Sequence, residues 1–88
     1  MEWSDLSYLL RSPLSRQILK ALEKENLAPV EIAKKTSIDK GNVSHKLSEL
    51  SKRRLVECLN PNDRKWRFYK ITDHGKKILK VSMEKVSD

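Results

Sequence analysis

Residues 39–54 have the sequence DKGNVSHKLSELSKRR, and this stretch decides the fold that we predict for the chain. Asp39 is a favoured N-cap residue, because its carboxylate can accept hydrogen bonds from the free amides of a first helical turn. Val43, Leu47 and Leu50 follow one another at helical spacing and form one apolar stripe. The pattern predicts an amphipathic helix that packs on a core through this stripe.

The face of this helix opposite the stripe is polar and carries mostly short side chains. Helical geometry places on it Gly41, His45, Ser48 and Lys52, with Asn42, Ser44 and Glu49 beside them and Lys40 at the entry. Such short donors and acceptors can approach base edges and phosphates closely. A solvated helix with a mixed surface is the alternative, and this helix alone does not decide between the two.

The net charge of +7 is concentrated after residue 39. Residues 1–39 carry six basic and six acidic side chains, whereas residues 40–80 carry twelve basic and four acidic ones. A localised basic field is typical of proteins that bind a polyanion such as nucleic acid. A generally lysine-rich surface is the alternative, but it does not predict so uneven a distribution.

Length and composition exclude several classes of protein. The 88 residues fit a single domain over 1–88, and no apolar run approaches the ~20 residues that span a bilayer, so no membrane partner is expected. The only cysteine, Cys58, fits a reducing cytoplasm, and with two histidines it cannot build a four-ligand zinc site. No paired carboxylates, activated nucleophile or glycine-rich phosphate loop is present, so we expect neither an enzyme nor a cofactor.

Cap residues and proline divide the first half of the chain into helices. Ser12 and Pro13 are typical of an N-cap and a first helical position. Pro29 opens a short helix that ends near Thr36. The turn between this helix and the helix at 39–54 is very short, and two short helices joined by so tight a turn predict a helix-turn-helix. Ser37 lies where such turns favour glycine, and a type I turn would accommodate it. The predicted helices are 4–11, 13–25, 29–36, 40–53 and 73–86.

The periodicity of the apolar side chains changes after the helix predicted at 39–54. Residues 55–59 and 66–71 are rich in β-branched and aromatic side chains, which favour strands. The turn-forming sequence NPNDRK at 60–65 lies between them and predicts a β-hairpin with a basic tip. We expect Trp66 and Phe68 to pack across the strands of this hairpin, with base stacking as the alternative.

The last helix, 73–86, is predicted to begin after a Thr72 cap and to carry an apolar face. We expect this face and the first helix to form a homodimer interface. Packing of the two terminal helices within one protomer is the alternative. The predicted interface residues are Trp3, Leu6, Leu10, Ile78, Leu79, Met83 and Val86.

The order of helix, helix-turn-helix, hairpin and helix resembles the winged helix-turn-helix of prokaryotic transcription regulators. SPLSRQILKAL (12–22) is similar to the opening helix of ArsR-type regulators, with Arg16 at their arginine position, and NVSHKL (42–47) is similar to their recognition-helix core. LVECLNPNDRKWRFYKIT (55–72) and the following DHG resemble the wing and exit helix shared by ArsR-type and MarR-type proteins. The resemblance is strongest to small archaeal regulators, and it implies a mostly helical α+β fold.

The resemblance implies a sequence-specific transcription regulator that binds double-stranded DNA. Helix 39–54 would enter the major groove, and the wing at 60–65 would reach the backbone or the minor groove. The family's contacts fall on Lys40, Gly41, Ser44 and His45 in the helix and on Arg64 and Lys65 in the wing. Asn42 and Ser48 complete the polar face. Charge predicts further phosphate contacts from Lys52, Arg53, Lys65 and Arg67.

The chain departs from the ArsR pattern in two ways. Arg54 occupies the position of the glycine that normally ends the recognition helix, which implies a left-handed arginine or a different exit. The cysteine pair of metal-sensing members is absent from the recognition helix and from the helix before it, so no metal sensing is expected. A winged-helix protein-interaction module and a general chromosomal, replication or RNA binder remain the alternatives.

Overall fold

The computed structural model describes residues 3–86, which fold around one apolar core. The elements in chain order are α1 (Trp3–Arg11), α2 (Pro13–Lys24), α3 (Pro29–Thr36), α4 (Lys40–Lys52), β1 (Val56–Cys58), β2 (Tyr69–Ile71) and α5 (Asp73–Val86). Helix α2 lies at the centre and packs against the other four helices and β2. The fold is a winged helix-turn-helix, so the predicted mostly helical α+β class is confirmed.

Side-chain caps start the helices where the sequence predicts them. The Ser12 hydroxyl accepts a hydrogen bond from the Ser15 amide at 3.3 Å, ahead of the first residue of α2. The Asp39 carboxylate accepts from the Asn42 amide at 3.2 Å and starts α4. Each cap satisfies an amide that a helix leaves free in its first turn, so these ends are set by local chemistry.

The turn of the helix-turn-helix differs from the prediction. Ser37 is left-handed, with φ 61° and ψ 21°, rather than part of a type I turn. In this conformation its amide donates to the Ala33 carbonyl at 2.9 Å and closes the last turn of α3. The following residue, Ile38, is buried, so the left-handed serine turns the chain into the core just before α4 begins.

Helix α4 ends in a Schellman motif built on a non-glycine residue. Arg54 is left-handed with φ 61°, so the helix ends on a left-handed arginine where the family has a glycine, and not by a different exit. The Arg54 amide donates to the Ser51 carbonyl at 3.0 Å, and the Leu55 amide donates to the Leu50 carbonyl at 2.9 Å. Leu50 and Leu55 are both fully buried, as the hydrophobic contact of this motif requires.

The wing contains a short antiparallel ladder in which Val56 pairs with Ile71 and Cys58 with Tyr69. The strands are shorter than the predicted 55–59 and 66–71. Between Tyr69 and the tip of the wing, several backbone groups form hydrogen bonds with side chains of the loop instead of with the opposite strand. Regular strand pairing therefore stops there. A single bridge between Leu27 and Tyr69 adds a third, minimal strand.

The terminal helices pack against each other within the protomer. Leu6 of α1 and Ile78 and Leu79 of α5 are at most 3% exposed and belong to the core. These three residues are therefore wrongly placed in the predicted dimer interface. The apolar stripes of α1 and α5 cover each other and α2, which is the alternative that the sequence left open.

Helix α5 is joined to the end of α4 through the backbone of Leu55. The Leu55 carbonyl accepts from the Thr72 amide at 3.1 Å, and the Thr72 hydroxyl donates to the neighbouring Arg54 carbonyl at 2.7 Å. The same hydroxyl accepts from the Gly75 amide at 2.9 Å and caps α5.

Within residues 3–86, no helix combines the length and apolar character needed to cross a bilayer.

Gly75 permits the close approach of α5 to Leu55. A Cβ atom at Gly75 would overlap the Leu55 carbonyl and crowd the side chain of Ile71. We expect Gly75→Ala to lower the free energy of unfolding by about 3 kcal/mol or more, because backbone would have to move.

Gly41→Ala is the matched control for this prediction, measured by urea denaturation. Its Cβ would meet only the Asp39 side chain at 3.2 Å, in a helix where alanine is favoured over glycine. The free energy of unfolding should therefore change by no more than about 1 kcal/mol. Equal effects of the two substitutions would contradict the close approach at Leu55.

Candidate nucleic-acid interface

Helix α4 turns its apolar stripe to the core and its polar face to solvent. Val43, Leu47 and Leu50 are at most 2% exposed. The residues of the predicted contact set that lie exposed on this helix are Lys40, Gly41, Asn42, Ser44, His45, Ser48 and Lys52. Asn42 also donates from its side chain to the Asp39 carboxylate at 2.6 Å, so it supports the cap.

A groove lies between α4 and the base of the wing. Its polar lining comes from Ser44, Ser48, Ser51, Lys52, Arg67 and Tyr69. The structure thus brings four of the predicted residues together with two that the sequence did not single out. Ser51 follows Ser44 and Ser48 at helical spacing, so periodicity could have found it. Tyr69 could be placed only once the strand register was known.

The loop of the wing is held by two polar side chains. Asn60 accepts from the Phe68 amide at 2.8 Å and donates to the Trp66 carbonyl. Asp63 accepts from the Trp66 and Lys65 amides at 2.9 and 2.8 Å. These hydrogen bonds lower the pKa of the Asp63 carboxyl, so it stays ionised. The predicted wing residues Arg64, Lys65 and Arg67 are all exposed on this framework.

Glu49 is the acidic residue of α4, and Tyr8 of α1 holds it. The Tyr8 hydroxyl donates to the Glu49 carboxylate at 2.8 Å and also lies 2.8 Å from the Ser15 hydroxyl. The hydrogen bond from Tyr8 lowers the pKa of Glu49, while burial raises the pKa of Tyr8. The carboxylate also lies 3.6 Å from His45 and 3.5 Å from Lys46. Its charge is therefore partly compensated at the edge of the polar face.

Sequence comparison assigns this arrangement to a family. The family model described as bacterial regulatory protein, arsR family, matches residues 12–57, which include α2, the helix-turn-helix and the start of the wing. The match covers more than half of the chain. The chain belongs to the ArsR family. No curated protein matches it by sequence.

Solved structures similar to this ArsR-family chain are MarR-type regulators. Apo MarR from E. coli is 29% identical with a TM-score of 0.80, and the match covers 97% of this chain and 64% of MarR. A mutant MarR from E. coli complexed with operator DNA is 29% identical with a TM-score of 0.76, covering 96% and 61%. The regulator BldR from Sulfolobus solfataricus is 26% identical with a TM-score of 0.75, covering 83% and 53%. The chain spans less than two thirds of the length of each.

Arg16, at the family's arginine position, anchors α2 to the end of α1. Its guanidinium donates to the carbonyls of Leu9 and Leu10 in the last turn of α1, and the Leu9 carbonyl also accepts from the Ser12 amide at 3.2 Å. A cation at this end also complements the helix dipole. In this ArsR-family chain the arginine therefore ties α2 to the end of α1.

Arg53, which we predicted to contact a phosphate, is engaged within the protomer, and its side chain is 30% exposed. Its guanidinium donates to the Asp5 carboxylate at 3.0 Å and to the Ser4 hydroxyl at 3.1 Å, and it lies 4.4 Å from the centre of the Tyr8 ring. The same Asp5 carboxylate lies 2.8 Å from the imidazole of His74 on α5. Arg53 therefore ties the end of α4 to α1, rather than facing solvent with the rest of the polar face.

Asp5 is the acceptor that unites these three helices. Partial burial opposes ionisation of its carboxyl, but hydrogen bonds from His74 and Arg53 outweigh burial and lower its pKa below the ordinary 3.8. Within residues 3–86 no three His, Cys, Asp or Glu side chains are arranged to hold a metal ion. The Asp5 cluster is thus an ion-pair network that orients α4.

We expect Asp5→Asn to lower the free energy of unfolding at pH 7 by about 1–2 kcal/mol, because Arg53 and His74 lose their charged acceptor. A carboxyl whose pKa is lowered by folding stabilises the folded state above its ordinary value of 3.8, and this stabilisation is lost as the pH falls through the folded value. The difference between the two proteins should therefore shrink below pH 3.8.

Urea denaturation at several pH values measures this effect, with Glu84→Gln as the control. Glu84 is an exposed carboxyl on α5, and its substitution should change the free energy of unfolding by no more than about 0.5 kcal/mol. Wild-type stability of Asp5→Asn at pH 7 would show that the network does not hold α4.

Proposed function

We propose that this protein is a sequence-specific transcription regulator that binds double-stranded DNA. The observation that carries the proposal is the exposed face of α4, where small polar side chains lie beside a basic wing. Family membership and the likeness to a MarR structure complexed with operator DNA support it. In this proposal α4 enters the major groove, and the wing loop follows the backbone or the adjacent minor groove.

The roles of the side chains follow from their size and position. Ser44, Ser48 and His45 are exposed on the middle of α4, where a side chain can reach base edges. Arg64 and Lys65 lie on the wing loop, and Lys52 and Arg67 line the groove between wing and helix. Their charges suit phosphates, which supply affinity without reading sequence.

We further propose that the protein acts in the cytoplasm as a homodimer and has no catalytic activity. Trp3 is 65% exposed and Val86 is 38% exposed, while Leu10 and Met83 are half-buried at the surface of the same helix pair. These four residues are what remains of the predicted interface after the core residues are removed. Two copies of α4 in one dimer would read two half-sites.

Selection of bound sequences from a random duplex pool at physiological salt tests the proposal directly. Strong enrichment of one sequence, with inverted repeats for a dimer, is expected. Weak enrichment with tight binding would favour a general chromosomal or replication binder, and preference for RNA would favour an RNA binder. No binding to either would favour a protein-interaction module.

Substitutions at His45 and Arg64 should distinguish a side chain that recognises the base sequence from one that only binds the phosphate backbone. His45→Ala should weaken binding to the selected sequence by about 1–3 kcal/mol, and binding to random duplex much less, because a base contact is lost. Arg64→Ala should weaken both by a similar factor, because it removes a phosphate contact.

Fluorescence anisotropy across a salt series measures both effects. If a dimer neutralises about eight phosphates, the slope of log K against log salt should be near −7, and Arg64→Ala should make it shallower by about one for each bound protomer. Lys80→Ala, which removes an exposed charge from α5, is the control and should leave the slope unchanged. A slope near zero for the wild type would contradict the proposal that the protein binds DNA.

The dimer is tested at its two exposed apolar positions. Trp3→Glu and Val86→Glu should each shift the protein toward monomer in sedimentation experiments, because a desolvated carboxylate opposes association. Lys77→Glu places the same charge on an exposed polar position of α5 and should leave the dimer intact. A monomeric wild type at micromolar concentration would contradict the proposed interface.

A further inference from the structure

The wing carries an apolar surface that the core does not cover. Trp66 is 55% exposed, Leu59 is 48% exposed and Phe68 is 37% exposed. Trp66 and Phe68, which we expected to pack across the strands, precede β2 and lie in the wing loop. Among the described residues, the other large exposed apolar side chains are on α1 and α5.

The backbone of Trp66 is held on both sides. Its amide donates to the Asp63 carboxylate at 2.9 Å, and its carbonyl accepts from the Asn60 side chain. The Asp63 carbonyl also accepts from the Arg67 guanidinium at 3.0 Å. The indole is thus carried by a fixed backbone, and little backbone conformational entropy remains to be lost when a partner binds.

The surroundings of Trp66 select one class of partner. Arg64, Lys65 and Arg67 flank it in sequence and are exposed, and the carboxylate of nearby Asp63 is engaged by backbone amides. Arg67 also lines the groove beside α4. A flat apolar ring between cations matches a ligand with stacked aromatic faces between rows of anions, which is the arrangement of a nucleic-acid duplex.

We propose that Trp66 is a base-contacting wedge, whose indole stacks against a base-pair step of duplex DNA while Arg64 and Lys65 hold the flanking phosphates. This inference rests on the proposed DNA-binding function and extends it to a contact that uses no hydrogen bond. Aromatic and aliphatic side chains that enter a base step from the minor groove unstack it and bend the duplex. The wing would then favour flexible pyrimidine–purine steps and contribute specificity through DNA shape.

Tryptophan fluorescence tests the wedge, since Trp3 and Trp66 are the two tryptophans of the chain. A Trp3→Phe protein leaves Trp66 as the sole reporter, and it is used once anisotropy shows that it binds the duplex recovered from the random pool with wild-type affinity, since Trp3 belongs to the proposed dimer interface. Adding the duplex recovered from the random pool should quench its emission, because the indole stacks on bases. Replacing single adenines of that duplex with 2-aminopurine should give a fluorescence change at one step, the site of the wedge.

Affinity measurements on three variants separate a stacking role from a merely apolar one. Trp66→Ala should weaken duplex binding by about 5- to 100-fold. Trp66→Leu, whose aliphatic side chain can still enter a base step, should lose less than Trp66→Ala, and Trp66→Phe, which keeps a ring, should lose least. The salt slope should be unchanged in all three, since no charge is removed. The melting temperature should change by no more than about 2 °C, because the side chain is mostly exposed.

The outcomes are distinguishable from those of the proposed function. Wild-type duplex affinity of Trp66→Ala, or unchanged Trp66 emission in the complex, would overturn the wedge while DNA binding stands. Tighter binding and stronger quenching by a single strand of the same sequence would overturn the assignment to duplex. Failure of the wild type to bind any duplex would overturn both proposals, and it would be seen before any variant is compared.

Discussion

The structure depends on the backbone of one buried residue, Leu55. Its amide closes the Schellman motif at the end of α4, and its carbonyl accepts from the Thr72 amide at the start of α5, while the Thr72 hydroxyl donates to the preceding Arg54 carbonyl. Its side chain is fully buried in the core, and Gly75 leaves room for its carbonyl. The recognition-helix candidate, the wing and the terminal helix therefore all meet at the backbone of a single residue. The angle between helix and wing, on which the proposed DNA contacts depend, is fixed there.

The edge of α4 that faces α1 is oriented by hydrogen bonds and ion pairs rather than by apolar packing. Tyr8 of α1 holds Glu49 of α4, and Asp5 of α1 holds Arg53, which caps the C-terminus of α4. The side chains left free on the solvent face are then small or weakly constrained. This division follows from the small size of the domain: a helix that buries a narrow stripe needs polar contacts to resist rotation about its own axis.

Elements with local signals were predictable from the sequence. The caps at Ser12 and Asp39 and the apolar stripe of α4 act within one or two turns, and they were placed correctly. Ser37 could not be assigned, because its left-handed conformation is imposed by the need to bury Ile38 and not by its own preference. The strand ends were missed because Asn60 and Asp63 satisfy backbone groups that a longer ladder would have paired.

The candidate site was predictable only on one side. Periodicity gave the exposed face of α4 but could not show that Arg53 meets Asp5, a partner 48 positions away in the chain. It also showed that α1 and α5 have apolar faces without showing what covers them, so Leu6, Ile78 and Leu79 were assigned to a partner protomer when they belong to the core. Long-range pairing of this kind depends on the tertiary arrangement, which no local pattern contains.

The two left-handed residues that bracket α4 have an evolutionary consequence. Ser37 and Arg54 each adopt a conformation that their side chains disfavour, so each junction retains a stability reserve that a single change to glycine could release. A lineage that acquired such a change could then tolerate a mildly destabilising substitution on the exposed face of α4. The junctions would act as suppressor sites, allowing the reading surface to diversify while the scaffold beneath it stays the same.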